Sequence, residues 1–335
     1  MHKYLKEMLE CPQCQSGLKW EITEESKDRI LSAEILCKDC SGEYSVRDGI
    51  GVFLTPDLQR NDLWESSSTG LDDFLAENPE VGKKLLEGPD EALSPVDMHF
   101  RGVILESKGK PQEARQAFSK ARNAMYSKET LECMNSQLSL VIEELSKTDE
   151  PVVDLASGAC TLAGRILKEL NNQVVVTDFS PRILLKDKEW LIRDGLYDRC
   201  SLLAFDARRT PFKDNSVNTL TTFQGFGNIQ EPGNLLSELG RIVSGRFLAI
   251  TNFYSKEDET NAEVIKQAGL QELLYRENLL KHYTKSEWQV DILNSCRARA
   301  NAAPTGAVLQ GARVDLLPAK ETTLEWCVLA AQKRR

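Results

Sequence analysis

Positive charge is in deficit in this chain: 42 Lys and Arg stand against 51 Asp and Glu over 335 residues, a net charge of −9. Nothing resembles a basic groove at whole-chain level, which disfavours tight nonspecific capture of nucleic acid by phosphate neutralisation and leaves a local basic patch open. No apolar run approaches the ~20 residues of a membrane span. Met1-His-Lys-Tyr-Leu-Lys-Glu is amphipathic and charged where a secretory leader is apolar. These absences predict a cytoplasmic chain with reduced thiols and no membrane partner. Histidine is scarce: only His2, His99 and His282 are present. Few side chains are therefore on offer as a general base near neutral pH. What is present, at 41% hydrophobic residues, suffices for one large domain with a small satellite.

Nine cysteines are not spread evenly. Four pair as Cys11-x-x-Cys14 and Cys37-x-x-Cys40, with 22 residues between the pairs. Two such knuckles present four soft thiolates in the tetrahedral arrangement that Zn²⁺ prefers; iron, or two disulfides, fit the same residues. A segment of this size buries too little apolar surface to fold unaided, so a metal cross-link has a physical purpose. The remaining five (Cys133, Cys160, Cys200, Cys296, Cys327) are scattered, and Cys133 and Cys296 read as small buried hydrophobes.

Residues 1–55 read as a zinc ribbon: a short helix from Tyr4 to Leu9, a hairpin of Trp20–Thr23 with Ile30–Ile35, and two strands around an Asp48-Gly49 turn. Residues 56–128 read as a helical connector broken at Ser66–Thr69, Gly88-Pro89 and Ser94-Pro95. Its second half, from His99, resembles one tetratricopeptide unit, with a turn at Gly109 and Ala114, Phe118 and Ala121 on one face. One unit cannot bury its own stripe, so it docks on its neighbours or binds a protein partner. Residues 129–335 form the third unit. A helix with Leu131, Met134, Leu138, Val141, Ile142 and Leu145 at helical spacing opens it. Strands and helices then alternate from Pro151 to Thr251, which implies a parallel sheet covered on both faces, an α/β doubly wound fold. Residues 256–300 read as mostly helical, and Ala312–Leu317 with Leu324–Gln332 as a terminal antiparallel strand pair.

In doubly wound folds a ligand sits beyond the carboxyl ends of the strands. Asp154-Leu-Ala-Ser-Gly158-Ala-Cys160 occupies the first such turn, Asp178 ends the second strand and Asp206-Ala207 the third. A carboxylate at Asp178 suits both hydroxyls of a ribose, and Asp206 suits an adenine amino group. These residues resemble class I S-adenosylmethionine-dependent methyltransferases over residues 130–335. Asp154 and Gly158 match the family's turn, in which Ala156 and Cys160 replace flanking glycines. Asp178-Phe179-Ser180-Pro181 matches the ribose-binding strand end, and Asp206-Ala-Arg-Arg-Thr-Pro211-Phe212-Lys-Asp214-Asn-Ser216-Val217 matches the run that follows. The resemblance implies S-adenosylmethionine held by Asp154, Ala156, Gly158, Asp178, Phe179, Asp206 and Ala207, with Gln224 at its methionine end, besides Zn²⁺ on Cys11, Cys14, Cys37 and Cys40. The run Tyr44–Leu54 resembles the ribbon subunit that partners eukaryotic methyltransferases. A ribbon ahead of such a domain is similar to the bacterial ribosomal RNA guanine-N1 methyltransferases, although the connector here is longer.

The fourth strand ends in Phe223-Gln-Gly-Phe-Gly-Asn228. It lacks an Asn-Pro-Pro-Tyr motif, so amino-nitrogen methylation of adenine or glutamine is unsupported. Phe226 is either a pocket wall or a stacking platform for a flat acceptor. Asn252 and Tyr254 are placed at the same crevice, and His282-Tyr283 in a helical lid, where His282 is a base or a plain surface residue. Arg276, Lys281, Arg297 and Arg299 form a basic patch or a solvated face. No catalytic residue is assigned. The acidic balance favours a small-molecule acceptor and the ribbon favours RNA; both stay open, beside a non-catalytic S-adenosylmethionine-binding scaffold.

Overall fold

A computed structural model describes residues 1–58 and 63–334, the side chains of 63–69 excepted. The ribbon comprises α1 (Leu5–Met8), β1 (Leu18–Ser26), β2 (Arg29–Cys37), β3 (Glu43–Arg47) and β4 (Ile50–Val52). Asp48 and Gly49 both take positive φ (52° and 75°), the two-residue turn that lets β3 reverse into β4. The connector carries α2 (Leu63–Glu77), α3 (Pro79–Glu87), α4 (Pro95–Ser107) and α5 (Pro111–Met125). The rest runs α6 (Lys128–Leu145), β5 (Val152–Asp154), α7 (Thr161–Glu169), β6 (Val174–Asp178), α8 (Pro181–Arg193), β7 (Cys200–Ala204), β8 (Val217–Phe223), α9 (Pro232–Ile242) and β9 (Val243–Phe253). It closes with α10 (Glu259–Gln267), α11 (Gln271–Leu274), α12 (Arg276–Lys285), β10 (Trp288–Ala300) and β11 (Thr322–Lys333).

All eleven strands join one sheet in the order β1-β2-β3-β4-β7-β6-β5-β8-β9-β11-β10. β4, β7, β6, β5, β8 and β9 run parallel, and β11 and β10 are antiparallel. Alternate residues of each strand point to opposite faces. Val153, Val175, Leu203, Leu220 and Phe247 pack under α9 and α12, whereas Val152, Val174, Val176, Leu202 and Leu248 pack under α6, α7 and α8. The α6 stripe read from the sequence lies in this second core: Met134, Leu138, Val141, Ile142 and Leu145 are buried.

The ribbon is continuous with the sheet. β4 pairs with β7 from Ile50↔Leu202 to Val52↔Ala204, and Leu5, Leu9, Ile35 and Phe53 share one core with Leu203 and Phe212. Arg29 bolts the joint: its guanidinium donates to the carbonyls of Tyr197 (2.9 Å) and Cys200 (2.6 and 2.9 Å) and lies 4.2 Å from the Tyr197 ring centre. The helical hairpin docks on its own chain too. Gly102 admits the Phe118 ring, Arg115 pairs with Asp194 (2.9 Å) over Trp190, and Glu106 meets Lys186 (3.6 Å).

Four expectations change. Ser66–Thr69 lie inside α2, because serine and threonine tolerate a helix interior when the neighbours propagate it. Residues 288–300 are strand, not helix; a register shift between Leu293 and Cys296 breaks the period-two alternation that would have revealed it. Ala312–Leu317 is irregular, so the terminal pair is β10 with β11. That loop is held by tertiary contacts instead: Asp97 accepts from the N–H groups of Ala307, Val308 and Leu309, and Tyr126 donates to Asp315 (3.0 Å). Cys133 and Cys296, expected as separate thiols, are disulfide-bonded because α6 crosses β10 and brings together residues 163 apart in sequence.

Candidate functional site

The crevice lies at the carboxyl ends of β5, β6, β7 and β8, on either side of the point where strand order reverses between β5 and β8. Its first wall is the turn after Asp154. Ala156, Gly158 and Cys160 all take left-handed φ (51°, 52° and 53°). This is the backbone that glycines supply without strain, and here two side-chain-bearing residues adopt it. The turn is tied down on every side. Thr177 Oγ1 (2.9 Å) and Ser157 Oγ (2.8 Å) both donate to the Asp154 carbonyl, the Ser157 N–H to the Thr177 carbonyl (2.7 Å), and Thr222 Oγ1 to the Leu155 carbonyl (2.8 Å). Gly225, after β8, closes against it: a Cβ there would overlap Thr222 Oγ1 and come within 2.9 Å of the Ala156 Cβ.

The three expected carboxylates do different jobs. Asp178 receives the N–H of Gly158 on one oxygen (3.1 Å) and of Ser180 on the other (2.9 Å), which joins the first two turns. Asp206 is gripped by Arg208, through the backbone N–H and Nε on Oδ1 (2.9 and 3.0 Å) and Nη2 on Oδ2 (2.7 Å); Arg208 also reaches Glu231 (3.0 Å). Asp154 is 1% exposed and turns inward, accepting from Thr221 Oγ1 at 2.8 Å. Burial pushes its carboxyl up to about 6 against the opposing bonds of Thr221, Ser157 and the Ala163 N–H. It braces the turn and does not face the crevice. Ala156, Gly158, Phe179, Ala207 and Gln224 keep part of their surface open beside it. Among the described residues, a Cβ on Gly158 would meet nothing within 4 Å, which leaves room for a ligand to approach that backbone.

Other candidates are placed elsewhere. Cys160 is buried against Asp187 of α8 and does not obstruct the crevice. Phe226 is 3% exposed and stacks on Phe247 (5.7 Å) beside Tyr283, so it is core and offers no platform. Tyr254 is buried in the second core, and Asn252 pairs with Trp326 along β9. His282 bonds Glu272 through Nε2 (2.8 Å) and lies against Gly233 at the start of α9. His2 bonds Ser201 (2.7 Å) at the ribbon joint, and His99 packs at a tilt against Phe118 (5.2 Å), where burial lowers it to about 4. Sequence reasoning missed the Thr177, Thr221 and Thr222 hydroxyls that lock the turns; threonines in a buried strand carry no signal until their partners are known.

The cysteine cluster assembles as expected. The four Sγ atoms of Cys11, Cys14, Cys37 and Cys40 lie within 4.8 Å of one another, with Cys11–Cys40 at 3.5 Å and Cys14–Cys37 at 3.4 Å. Tetrahedral thiolates at the usual zinc distance stand about 3.8 Å apart. The N–H groups of Asp39 and Cys40 point at Cys37 Sγ (both 3.4 Å), and the Ser16 N–H, then the Cys40 thiol, draws Cys14 down to about 6. This donor set fits a closed structural metal centre.

Residues 152–245 match the family model of a methyltransferase domain. The matched stretch runs from β5 into the start of β9 and holds every crevice residue named above; the fold is the α/β, Rossmann-like fold of class I methyltransferases. The ubiquinone/menaquinone biosynthesis C-methyltransferase of Legionella pneumophila is 26% identical over 121 residues, 32% of this chain and 48% of its own. That of Methylococcus capsulatus is 25% identical over 148 residues, 40% of this chain and 58% of its own. The chain thus spans about half the length of the curated relatives it matches. Among solved structures, the YcgJ protein of Bacillus subtilis aligns over 60% of this chain and 99% of its own at TM-score 0.46 and 14% identity. A SAM-dependent methyltransferase from Aquifex aeolicus aligns over 61% of this chain and 93% of its own at TM-score 0.42 and 15% identity. Among the described residues, no helix is long and apolar enough to cross a membrane.

Proposed function

We propose that the chain is an S-adenosylmethionine-dependent methyltransferase whose ribbon holds one structural Zn²⁺. The observation that carries the reading is the Asp178 carboxylate, fixed by the N–H groups of Gly158 and Ser180 at the tip of β6, twenty residues on from the glycine turn it bonds. A carboxylate so placed accepts the two ribose hydroxyls of a nucleoside cofactor. The Gly158 backbone allows close approach, Ala207 and Phe179 flank the base, and Gln224 faces the methionine end. Asp206 retains one lone pair for an adenine amino group beside Arg208. When bound, the sulfonium supplies an electrophilic methyl group for in-line displacement; the protein's task is to align the acceptor with it and exclude water.

The histidine positions bear on the acceptor. His2 sits in the ribbon joint, His99 in the helical hairpin, and His282 is engaged by Glu272. We therefore read the acceptor as a group nucleophilic without a histidine base. The net charge of −9 and the matched quinone C-methyltransferases support a small molecule over RNA. One observation favours a second reading, a scaffold that binds the cofactor without turnover: Arg208 already covers Asp206. Calorimetry with S-adenosylmethionine is the first test, with saturable binding expected and at least a tenfold loss in Asp178→Ala. Absence of binding to the folded wild type would remove both readings. Labelled methyl transfer to a small-metabolite extract and to total RNA then separates acceptors, and binding without transfer to either leaves the scaffold.

A further inference from the structure

At the opposite end of the sheet, where β8 and β9 begin and β11 ends, lies a cavity of about 400 Å³ lined by Lys147, Thr148, Asn218, Thr219, Ser244, Gly245, Arg246, Gln332 and Lys333. β8 spans seven residues, so this cavity is about 20 Å from the crevice at its other tip. In a chain of net charge −9 the lining contains three cations, five neutral hydrogen-bonding side chains and no carboxylate. Glu144 behind it pairs with both Lys147 (2.5 Å) and Arg246 (3.2 Å), so one carboxylate is shared by two cations. The Asn218 amide donates to Glu150 at the cavity's edge. Lys333 has no ionic or hydrogen-bonded side-chain partner among the described residues. Thr219 provides an independent observation: it is 1% exposed on a central strand, yet its hydroxyl has no hydrogen-bond partner among the described residues and lines the cavity. That hydroxyl is therefore available to donate into the cavity it lines. The β8–β9 register also shifts between Val217 and Thr219, and Gly245 lies so close to Asn218 that a Cβ would overlap it. The backbone is thus distorted at the cavity itself.

We propose that this cavity binds the phosphate group of a small phosphorylated metabolite, with Lys333 and Arg246 facing the oxyanion and Thr219 donating from the floor. A phosphate offers several acceptor oxygens to converging donors and carries charge that offsets the surplus of cations over the single Glu144 carboxylate. The volume is of ligand-pocket size and exceeds what a bare phosphate fills. The site is separate from the methyl-transfer crevice and does not depend on that reading.

The test is calorimetry on the full chain at low and physiological salt with ribose 5-phosphate and pyrophosphate, and with ribose as the uncharged control. Saturable binding of the two phosphates and none of ribose is expected. Lys333→Ala should weaken it at least tenfold and Thr219→Val about threefold, with unchanged thermal melts, whereas Asp178→Ala should leave it intact. The proposal is overturned if neither phosphate saturates the wild type, if ribose binds equally well, if both cavity variants bind as the wild type does, or if binding is lost in folded Asp178→Ala. Should either cavity variant fail to fold, Lys333→Gln carries the same expectation.

Discussion

Gly225→Ala tests how the crevice is built. The φ of Gly225 is not in the left-handed range, so alanine brings no dihedral penalty and any effect is steric. The new methyl would overlap Thr222 Oγ1, lie 2.9 Å from the Ala156 Cβ and 3.1 Å from the Leu155 carbonyl oxygen. Carbon–carbon contacts are comfortable near 3.5–4.0 Å, so the β8 turn must retreat from the β5 turn by somewhat under ~1 Å. Overpacking of that kind costs about 1–3 kcal/mol. Displacing the Thr222 hydroxyl from the Leu155 carbonyl adds about 1 kcal/mol. The expected loss is therefore about 2–4 kcal/mol, read as a lower urea midpoint with unchanged slope. Thr222→Ala removes the obstructing oxygen. Alone it should cost about 1 kcal/mol; in the Gly225→Ala background it should recover stability, a reversal of sign that a double-mutant cycle detects. Gly225→Ala as stable as the wild type, or Thr222→Ala costing the same in both backgrounds, refutes the account of two interlocked turns.

Ala156→Gly relieves a left-handed φ worth about 1–2 kcal/mol against about 0.5–1 kcal/mol of added unfolded-chain entropy, so urea unfolding should show it neutral to slightly stabilising, while Ala156→Val loses stability. Asp97 is buried, which by itself raises its pKa, but the Leu309 N–H, Ser94 hydroxyl and neighbouring N–H groups outweigh this and hold it below the usual value. The stability it contributes is present above the unfolded pKa near 3.9 and is lost as pH falls through the lower native value. Asp97→Asn should thus cost about 1.5–3 kcal/mol at neutral pH and little under strong acid, as denaturant melts at both pH values will show. Asp154 behaves oppositely: its native pKa is raised to about 6, so it disfavours folding as pH climbs from about 4 to 6. A carboxyl carbon-13 titration should give a midpoint near 6 that moves higher in Thr221→Val. Stripping the metal with a chelator should release one Zn²⁺ per chain and lower the thermal midpoint, and should speed amide exchange along β7 from Leu202 to Ala204, because the ribbon covers that edge. An unchanged melt, or iron in the released metal, contradicts the zinc assignment.

Much of the architecture was legible because its signals are local. The two Cys-x-x-Cys pairs, the Asp48-Gly49 turn, the α6 stripe and the alternation of β5 through β9 each lie within a short window, where side-chain period and turn chemistry act directly on the backbone. The placement of Asp178 at a strand end, with Gly158 in the neighbouring turn, was legible for the same reason. β10 was not, since a single bulge destroys its periodicity, and neither was the irregular loop around Ala312, whose shape is imposed by Asp97 some two hundred residues away.

Sequence alone determined the α6 stripe, the alternation from β5 to β9, the two paired-cysteine knuckles and which strand tips carry carboxylates. Only the tertiary structure decided that the ribbon is an edge of the main sheet, that Asp154 turns inward to Thr221, that Arg208 covers Asp206, and that Phe226 is core. Local preference depends on neighbours in the chain, and is written there; the direction and partner of a side chain depend on which distant groups packing brings within reach, and no short window contains them.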